Sequence, residues 1–196
     1  MTLRPLLGPA KRRRIIVYDL EWVPGENTRP GWVPMALRLV GVYDGIRYRS
    51  FESIGAFLAA ELTAKNAGAW FYAHAGGMAD IQYVFDYIVR HEGYSVEAAF
   101  SGSSAIIVKI SRVGSKHSWT FVDSYWLIRD SLRRIATWVG MEKGGSADSL
   151  DQFYAPLPEL RDYNELDCVI LWKAIRIFED IVLAFGGELQ KTIAST

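Results

Sequence analysis

The chain has little of what would mark a secreted, membrane-spanning or strongly charged protein. Its 196 residues include one cysteine, Cys168, so no disulfide can form within the chain. The longest apolar runs fall far short of the roughly 20 residues that span a bilayer. Lysine plus arginine and aspartate plus glutamate both number 22, so the net charge indicates neither a nucleic-acid nor a membrane partner. These absences predict a reducing, cytoplasmic setting and no membrane contact.

What the chain does contain is enough apolar residues for one sizeable core. Half of the residues are hydrophobic, and the seven prolines are few for a disordered chain. The basic stretch "KRRR" directly precedes the first strand-like segment, where a solvated arm and a phosphate contact are both open explanations. We predict a basic arm over residues 1–13, a single domain over 14–185 and a tail over 186–196.

Hydrophobic periodicity predicts an α/β domain. The segments "RIIVYDLEW", "AWFYAH", "AIIVKI" and "SWTFVDS" are typical of strands, and "ALRLVGVYDGIRYRSF" is typical of a hairpin with its turn at Asp44 and Gly45. Helices are predicted after Ser53, from Asp80, around "SLRRIATWVG" and from about Pro158, with a loop over 144–149 before the last one. Strands interleaved with helices indicate a mixed sheet flanked by helices.

Four acidic side chains indicate a site for divalent cations. Asp19 and Glu21 lie two residues apart in a predicted strand and therefore project from one face, where they repel each other unless cations neutralise them. Asp167 lies on the apolar stripe of the last predicted helix, and Tyr163 lies one turn earlier on the same face. Asp80 opens another helix. Such hard oxygen ligands are what two Mg²⁺ or Mn²⁺ ions about 4 Å apart require.

Each acid also has a plain structural explanation. Asp19 and Glu21 can be solvated at the rim of the sheet, and Asp80 can be an ordinary helix cap. Asp167 can be a buried acid paired with a basic residue or with the Tyr163 hydroxyl. The predicted stripe that carries Asp167 comprises Leu160, Tyr163, Ile170, Leu171, Ala174, Phe178 and Ile181. Taken together, the acids favour the metal site.

The ordered motifs carry a resemblance to a known family. The set "DLE", "HAGGMAD" and "YNELD", with "FVDSYWLIRDSLRRIA" between the last two, resembles the 3′-to-5′ exonuclease domain of family-B DNA polymerases over roughly residues 14–184. The similarity is greatest to the protein-primed phage and plasmid group, and the pattern Tyr-x-x-x-Asp is that of the tyrosine (DEDDy) subclass. The resemblance implies a ribonuclease H-like fold of the DnaQ-like exonuclease type and a two-metal hydrolysis of single-stranded 3′ ends.

The resemblance also implies roles for individual residues. It implies a metal-binding set of four acids, Asp19, Glu21, Asp80 and Asp167. Tyr163 would position the nucleophilic water, and Lys143 in "MEKGG" matches a lysine near the scissile phosphate, with an ordinary solvated loop lysine as the alternative. These six residues are the predicted catalytic set, and the cofactors are two Mg²⁺ or Mn²⁺ ions.

The second motif departs from the family pattern. Relatives read His-Asn-Gly-Gly-x-Phe-Asp, and the side chains at the Asn and Phe positions grip the 3′-terminal nucleotides; here these positions are Ala75 and Ala79. Losing an aromatic base contact weakens single-strand binding by roughly 1 to 3 kcal/mol. The predicted substrate-binding residues are Trp22, His74, Gly76, Gly77 and Ser124. Trp22 and His74 have core packing, and the glycines a tight turn, as alternative explanations.

Three functions follow as alternatives from these motifs. They are a 3′-to-5′ exonuclease on single strands with DNA favoured over RNA, a catalytically weak nucleic-acid-binding or polymerase-accessory module, and an RNA-processing exoribonuclease. A chain of this length has no room for a polymerase palm or fingers, so we expect a free-standing enzyme or an excised domain. A polymerase or another replication or repair protein is the expected partner. Arg133, Arg134 and the basic arm are expected to contact phosphates.

Overall fold

The computed structural model describes residues 12–24, 35–143 and 154–192, which contain a sheet and four helices. The strands are β1 (Ile15–Pro24), β2 (Met35–Tyr43), β3 (Tyr48–Phe51), β4 (Trp70–Ala73), β5 (Tyr94–Ser101), β6 (Ser104–Arg112) and β7 (Ser118–Asp123). The helices are α1 (Ile54–Glu61), α2 (Asp80–Val89), α3 (Leu132–Trp138) and α4 (Leu157–Ala184). Short 3-10 segments cover Ala64–Asn66, Gly76–Met78 and Ser124–Trp126.

The sheet is mixed, with parallel strands at its centre. The strand order is β3-β2-β1-β4-β7-β6-β5. β4 runs parallel to both β1 and β7, whereas β2, β3, β5 and β6 pair antiparallel to their neighbours. Parallel strands have their carboxyl ends at one edge of the sheet, so the ends of β1, β4 and β7 meet there. This architecture confirms the predicted α/β class with a mixed sheet.

Helices cover both faces of the sheet because the central strands are apolar on both sides. Along β1, Ile16 and Tyr18 pack towards α1 and α2, and Ile15 and Val17 pack towards α3 and α4, as the two-residue repeat of a strand requires. None of the described helices is apolar over a stretch long enough to cross a membrane. The two clusters together form the core that fixes the site at the edge of the sheet.

Local signals in the sequence explain where several elements begin. The Ser53 hydroxyl accepts a hydrogen bond from the Ala56 amide at 3.2 Å and caps α1, as predicted. In the β2–β3 turn, an Asp44 carboxylate oxygen accepts from the Arg47 amide at 2.9 Å, and Gly45 has a φ of 92°. The predicted hairpin is therefore confirmed. Asp80 is the first residue of α2 and not its cap, since Ala79 holds the cap position.

Two expectations about the fold differ from the structure. Nothing in the hydrophobic pattern indicated β5, because the side chains of this edge strand are half-buried or exposed and show no apolar alternation. Ile181 was placed on the buried stripe of α4 but is 51% exposed, so its assignment to the core was wrong. The stripe is correct at Leu160, Ile170, Leu171 and Ala174, all of which are buried.

The segments next to the predicted domain boundaries pack against α4 or the core. Arg12 forms an ion pair with Asp180 at 2.5 Å, and the Arg13 amide donates to Glu179 at 2.9 Å. Leu189 in the predicted tail is only 2% exposed and joins the cluster beneath α3 and α4. Arg12 and Arg13 are thus tied to the domain. The rest of the predicted arm and the predicted loop over 144–149 lie outside the described residues.

Candidate active site

The first two acids lie on β1 beyond the end of its parallel neighbour. β4 pairs with β1 only as far as Val17, so Asp19 and Glu21 extend past β4 and face the opening at the edge of the sheet. On its other side β1 still pairs with β2, and the register shifts between Glu21 and Trp22. The strand therefore holds the two carboxylates side by side beyond the end of β4.

Asn164 of α4 ties these two carboxylates together. Its amide nitrogen donates to an Asp19 carboxylate oxygen at 2.9 Å and to a Glu21 carboxylate oxygen at 3.2 Å. Its amide oxygen accepts from the Tyr48 hydroxyl at 2.9 Å, and the Cys168 thiol donates to the same oxygen at 3.8 Å. Asn164 is fully buried, so it links α4 to β1 and β3 through polar contacts that water does not replace.

Gly41 leaves the space that Asn164 occupies. It lies opposite Asp19 in the β1–β2 ladder. A Cβ atom at Gly41 would lie 1.5 Å from the Asn164 amide oxygen and 2.8 Å from the Tyr48 hydroxyl. A side chain at this position would therefore force Asn164 away from the two carboxylates.

Lys143 pairs with Asp167, the acid of the predicted set that lies on α4. Its ammonium lies 2.7 Å from an Asp167 carboxylate oxygen and 5.2 Å from the centre of the Tyr163 ring. Burial alone would lower the pKa of Lys143, but the attraction of Asp167 raises it above its ordinary value. The Lys143 side chain is only 12% exposed, which argues against an ordinary solvated loop lysine.

Burial raises the pKa of all four acids above their ordinary values. For Asp19, repulsion by Glu21, Asp80 and Asp167 adds to the effect of burial. The pKa of Glu21 rises to about 7 because burial outweighs the hydrogen bond from Asn164. The pKa of Asp80 is raised by burial and by Glu21, and that of Asp167 by burial although its lysine partner opposes the rise. Ionising the whole cluster near neutral pH is therefore costly unless cations are added.

The donor set fits divalent cations in chemistry, and the side chains would have to move to bind them. Four carboxylates are the hard ligands that Mg²⁺ and Mn²⁺ favour, and one buried oxygen of Asp167 has no hydrogen-bond partner. Within residues 12–24, 35–143 and 154–192, no three His, Cys, Asp or Glu side chains form a group that could hold a metal ion. Lys143 instead places a positive charge next to Asp167, and the neutral amide of Asn164 donates hydrogen bonds to Asp19 and Glu21.

Asp123, at the end of β7, organises the loop of the second motif and was not among the predicted site residues. Its carboxylate accepts from the Gly77 amide at 3.1 Å and from the Tyr125 amide at 2.9 Å, and the side chain is 2% exposed. The sequence offered a signal for it, because Asp123 is the last residue but one of the predicted strand "SWTFVDS". The residue thus holds the segment that leads into Asp80.

The two glycines of the second motif are required by close packing. A Cβ atom at Gly77 would lie 2.3 Å from the Ala105 carbonyl oxygen, and one at Gly76 would lie 2.9 Å from an Asp80 carboxylate oxygen. Ala75 just before them has a φ of 54°, in the left-handed region, which costs a residue other than glycine about 1 kcal/mol or more. These constraints account for the glycines without a bound strand, and a contact with a strand stays a prediction.

His74 and Ser124 belong to the scaffold beneath that loop. One ring nitrogen of His74 lies 3.0 Å from the Ser124 hydroxyl, and the other lies 2.8 Å from the Asp130 carbonyl oxygen. Ser124 is fully buried and donates to the Ala73 carbonyl at 2.9 Å, so a strand cannot reach it in this conformation. Burial lowers the pKa of His74, which favours the neutral ring. Trp22 is half-buried against the core, and its role as a stacking surface stays a prediction.

A mixed sheet with a carboxylate cluster at the ends of its central strands defines the chain as an α/β protein with a candidate cation site. No family model and no curated protein matches the sequence. The fold, however, is similar to solved structures of phi29 DNA polymerase. The polymerase complexed with single-stranded DNA aligns with a TM-score of 0.69 at 17% identity, over 92% of this chain and 33% of that chain.

Two further structures of the same polymerase give similar values. The ternary complex with primer-template DNA and incoming nucleotide substrates has a TM-score of 0.67 at 17% identity, over 88% of this chain and 32% of that chain. The post-translocation binary complex with primer-template DNA has a TM-score of 0.68 at 17% identity, over 92% and 32%. At this identity the similarity shows a shared fold, and the chain spans about a third of the polymerase.

Proposed function

We propose that the protein is a metal-dependent 3′-to-5′ exonuclease of the DEDDy type, acting on single-stranded DNA in preference to RNA. One observation supports this most strongly: four acids from β1, α2 and α4 are buried at the edge of the sheet, where burial raises the pKa of each and repulsion from another acid of the set adds to the rise for Asp19, Glu21 and Asp80. Structural uses of carboxylates seldom require such repulsion, whereas a cation site does. The fold shared with part of a DNA polymerase supports the assignment, including a ribonuclease H-like architecture.

The four acids would hold two divalent ions, and the neighbouring residues would orient them. When bound, such ions lower the pKa of an attacking water and stabilise the leaving oxygen. Asn164 keeps Asp19 and Glu21 side by side on β1. Tyr163 interacts with both Lys143 and Asp167, which supports a role for its hydroxyl in orienting a water. A cation at Asp167 would compete with Lys143, whose ammonium would then be available to a substrate phosphate.

A nucleic-acid-binding or polymerase-accessory module with weak activity is the second candidate. It is favoured by Ala75 and Ala79, which lack the amide and the aromatic ring of the family pattern and therefore a grip on the last nucleotides. An RNA-processing exoribonuclease would use the same acids, so only the choice of polymer separates it from the leading candidate. The expected partner remains a polymerase or another replication or repair protein.

Degradation of labelled strands separates these functions. We expect that single-stranded DNA labelled at its 5′ end will shorten from the 3′ end in one-nucleotide steps with Mg²⁺ or Mn²⁺, and that RNA of the same sequence will be degraded more slowly. Asp19→Ala/Glu21→Ala should leave both strands intact. Faster degradation of RNA would favour the exoribonuclease. If the wild type and the variant bind the strands equally tightly and neither degrades them, the result would favour the binding module and contradict the enzyme.

A further inference from the structure

A basic groove lies at the opposite end of the sheet from the carboxylates. It consists of two cavities that share Arg14 as a lining residue. One has a volume of about 490 Å³ and is also lined by Arg12 and Arg13, and the other has a volume of about 460 Å³ and is also lined by Arg47 and Lys65. Arg14 directly precedes β1, so the groove crosses the amino end of that strand.

Three cations of this groove have no acidic partner among residues 12–24, 35–143 and 154–192. The Arg14 guanidinium donates to the neutral amide oxygen of Asn66, at 2.9 Å. Arg47 and Lys65 are exposed, and no carboxylate in the described part of the chain pairs with either of them. The two acids that line the second cavity, Asp44 and Glu61, are both bonded to Arg49. Arg12 and Arg13 in the first cavity pair with Asp180 and Glu188. Among the described residues, the positive charge of the groove that no acid neutralises therefore comes from Arg14, Arg47 and Lys65, although the whole chain has no net charge.

The backbone holds these three cations on separate, fixed segments. The Arg14 carbonyl accepts from the Trp70 amide at 3.0 Å, which anchors it between β1 and β4. Arg47 follows the turn that Asp44 closes, and Lys65 lies in the 3-10 segment between α1 and β4. Cations spread over three segments suit successive phosphates of a chain better than one small anion.

We infer that this groove binds the phosphate backbone of a single-stranded nucleic acid. Guanidinium groups recognise phosphate oxygens by two parallel hydrogen bonds, and a lysine adds a point charge. Phe51 adds an aromatic side chain to the lining of the second cavity, of the kind on which bases stack. The groove is about 16 Å from Asp19 along β1, so it is a binding surface distinct from the carboxylate cluster.

Binding without divalent ions tests the groove independently of any hydrolysis. A fluorescent 20-nucleotide single strand is titrated in EDTA with the full chain and with Arg47→Glu, Lys65→Glu and the matched control Lys116→Glu, which makes the same charge change at an exposed position on the β6–β7 turn. Each groove variant should weaken binding about fivefold or more at 0.1 M salt and reduce the slope of log K against log salt by about 0.7. The control should change neither quantity at the same melting temperature.

Three results would overturn the inference. Equal weakening by Lys116→Glu would show that only net charge matters. Competition by a deoxynucleoside monophosphate at the same phosphate concentration as the 20-mer would identify a small anion as the ligand. Binding of fluorescent polyglutamate to the wild type but not to the groove variants, with no binding of the oligonucleotide, would identify an acidic protein as the ligand. Because hydrolysis is not measured, a catalytically inactive protein can still pass this test.

Discussion

Replacing Asp19 and Glu21 by their amides should make the metal-free protein more stable at pH 8 and remove all hydrolysis. In Asp19→Asn/Glu21→Gln, the Asn164 amide can still donate to both side chains, but the mutual repulsion disappears. The rise in the pKa of Glu21 from 4.5 to about 7 alone corresponds to a cost on the order of 3 kcal/mol above pH 7. Thermal unfolding in EDTA and nucleotide release with Mn²⁺ measure the two effects.

The raised pKa of Glu21 determines how the stability of the metal-free protein changes with pH. A carboxyl group with a pKa raised by folding costs stability while it is ionised, and the cost disappears as the pH falls from about 7 towards 4.5. The metal-free wild type should therefore gain stability over this range, and the amide variant should not. Asp86→Asn/Glu92→Gln, at exposed positions, is the matched control and should follow the wild type. An amide variant less stable than the wild type at pH 8 would contradict the prediction.

Placing a third carboxylate between these two acids should have the opposite effect. Asn164→Asp removes the amide donor and brings another buried acid against Asp19 and Glu21, so we expect a loss of about 3 kcal/mol or more in the free energy of unfolding at pH 8. The variant should recover part of this stability at lower pH, where the new group is protonated. Denaturant unfolding at the two pH values measures the change.

A substitution on the opposite strand checks whether the position of Asn164 matters for turnover. Gly41→Ala does not change Asn164 itself. It should displace the Asn164 side chain, since the new Cβ would lie 1.5 Å from its amide oxygen. We expect a large loss of turnover in the folded fraction. Gly55→Ala in α1 is the matched control, because its new Cβ would lie 2.9 Å from the Tyr87 hydroxyl and away from the four acids. Full turnover in Gly41→Ala would show that Asn164 does not orient the acids.

Hydrophobic periodicity predicted which side chains point inward where burial determines the structure. The two-residue repeat of β1 placed Asp19 and Glu21 on one face, and the helical repeat placed Asp167 inward on α4. The same repeat also places Asn164 inward, because it lies between buried Leu160 and Cys168 at intervals of four residues. A single amide next to acids, however, is not a sequence motif that indicates a functional site.

Features that depend on tertiary contact were beyond the reach of periodicity. The pairing of Lys143 with Asp167 joins a loop to a helix across 24 residues, and no local pattern specifies it. The left-handed φ of Ala75 contradicts local preference and is imposed by the surrounding loop, since Asp123 fixes the segment through Gly77. β5 has too little buried surface to leave an apolar pattern. The features that the sequence did not indicate are therefore those that depend on contacts between distant segments or that bury little apolar surface.

The binding of Mn²⁺ tests most directly the central claim that the carboxylate cluster is a cation site. Free Mn²⁺ is followed by its electron paramagnetic resonance signal during titration of the full chain at pH 8. We expect about two ions per chain in the wild type and fewer than one in Asp19→Asn/Glu21→Gln, because a two-metal site loses shared ligands in the variant. No binding by the wild type, or the same number of ions in both proteins, would contradict the account.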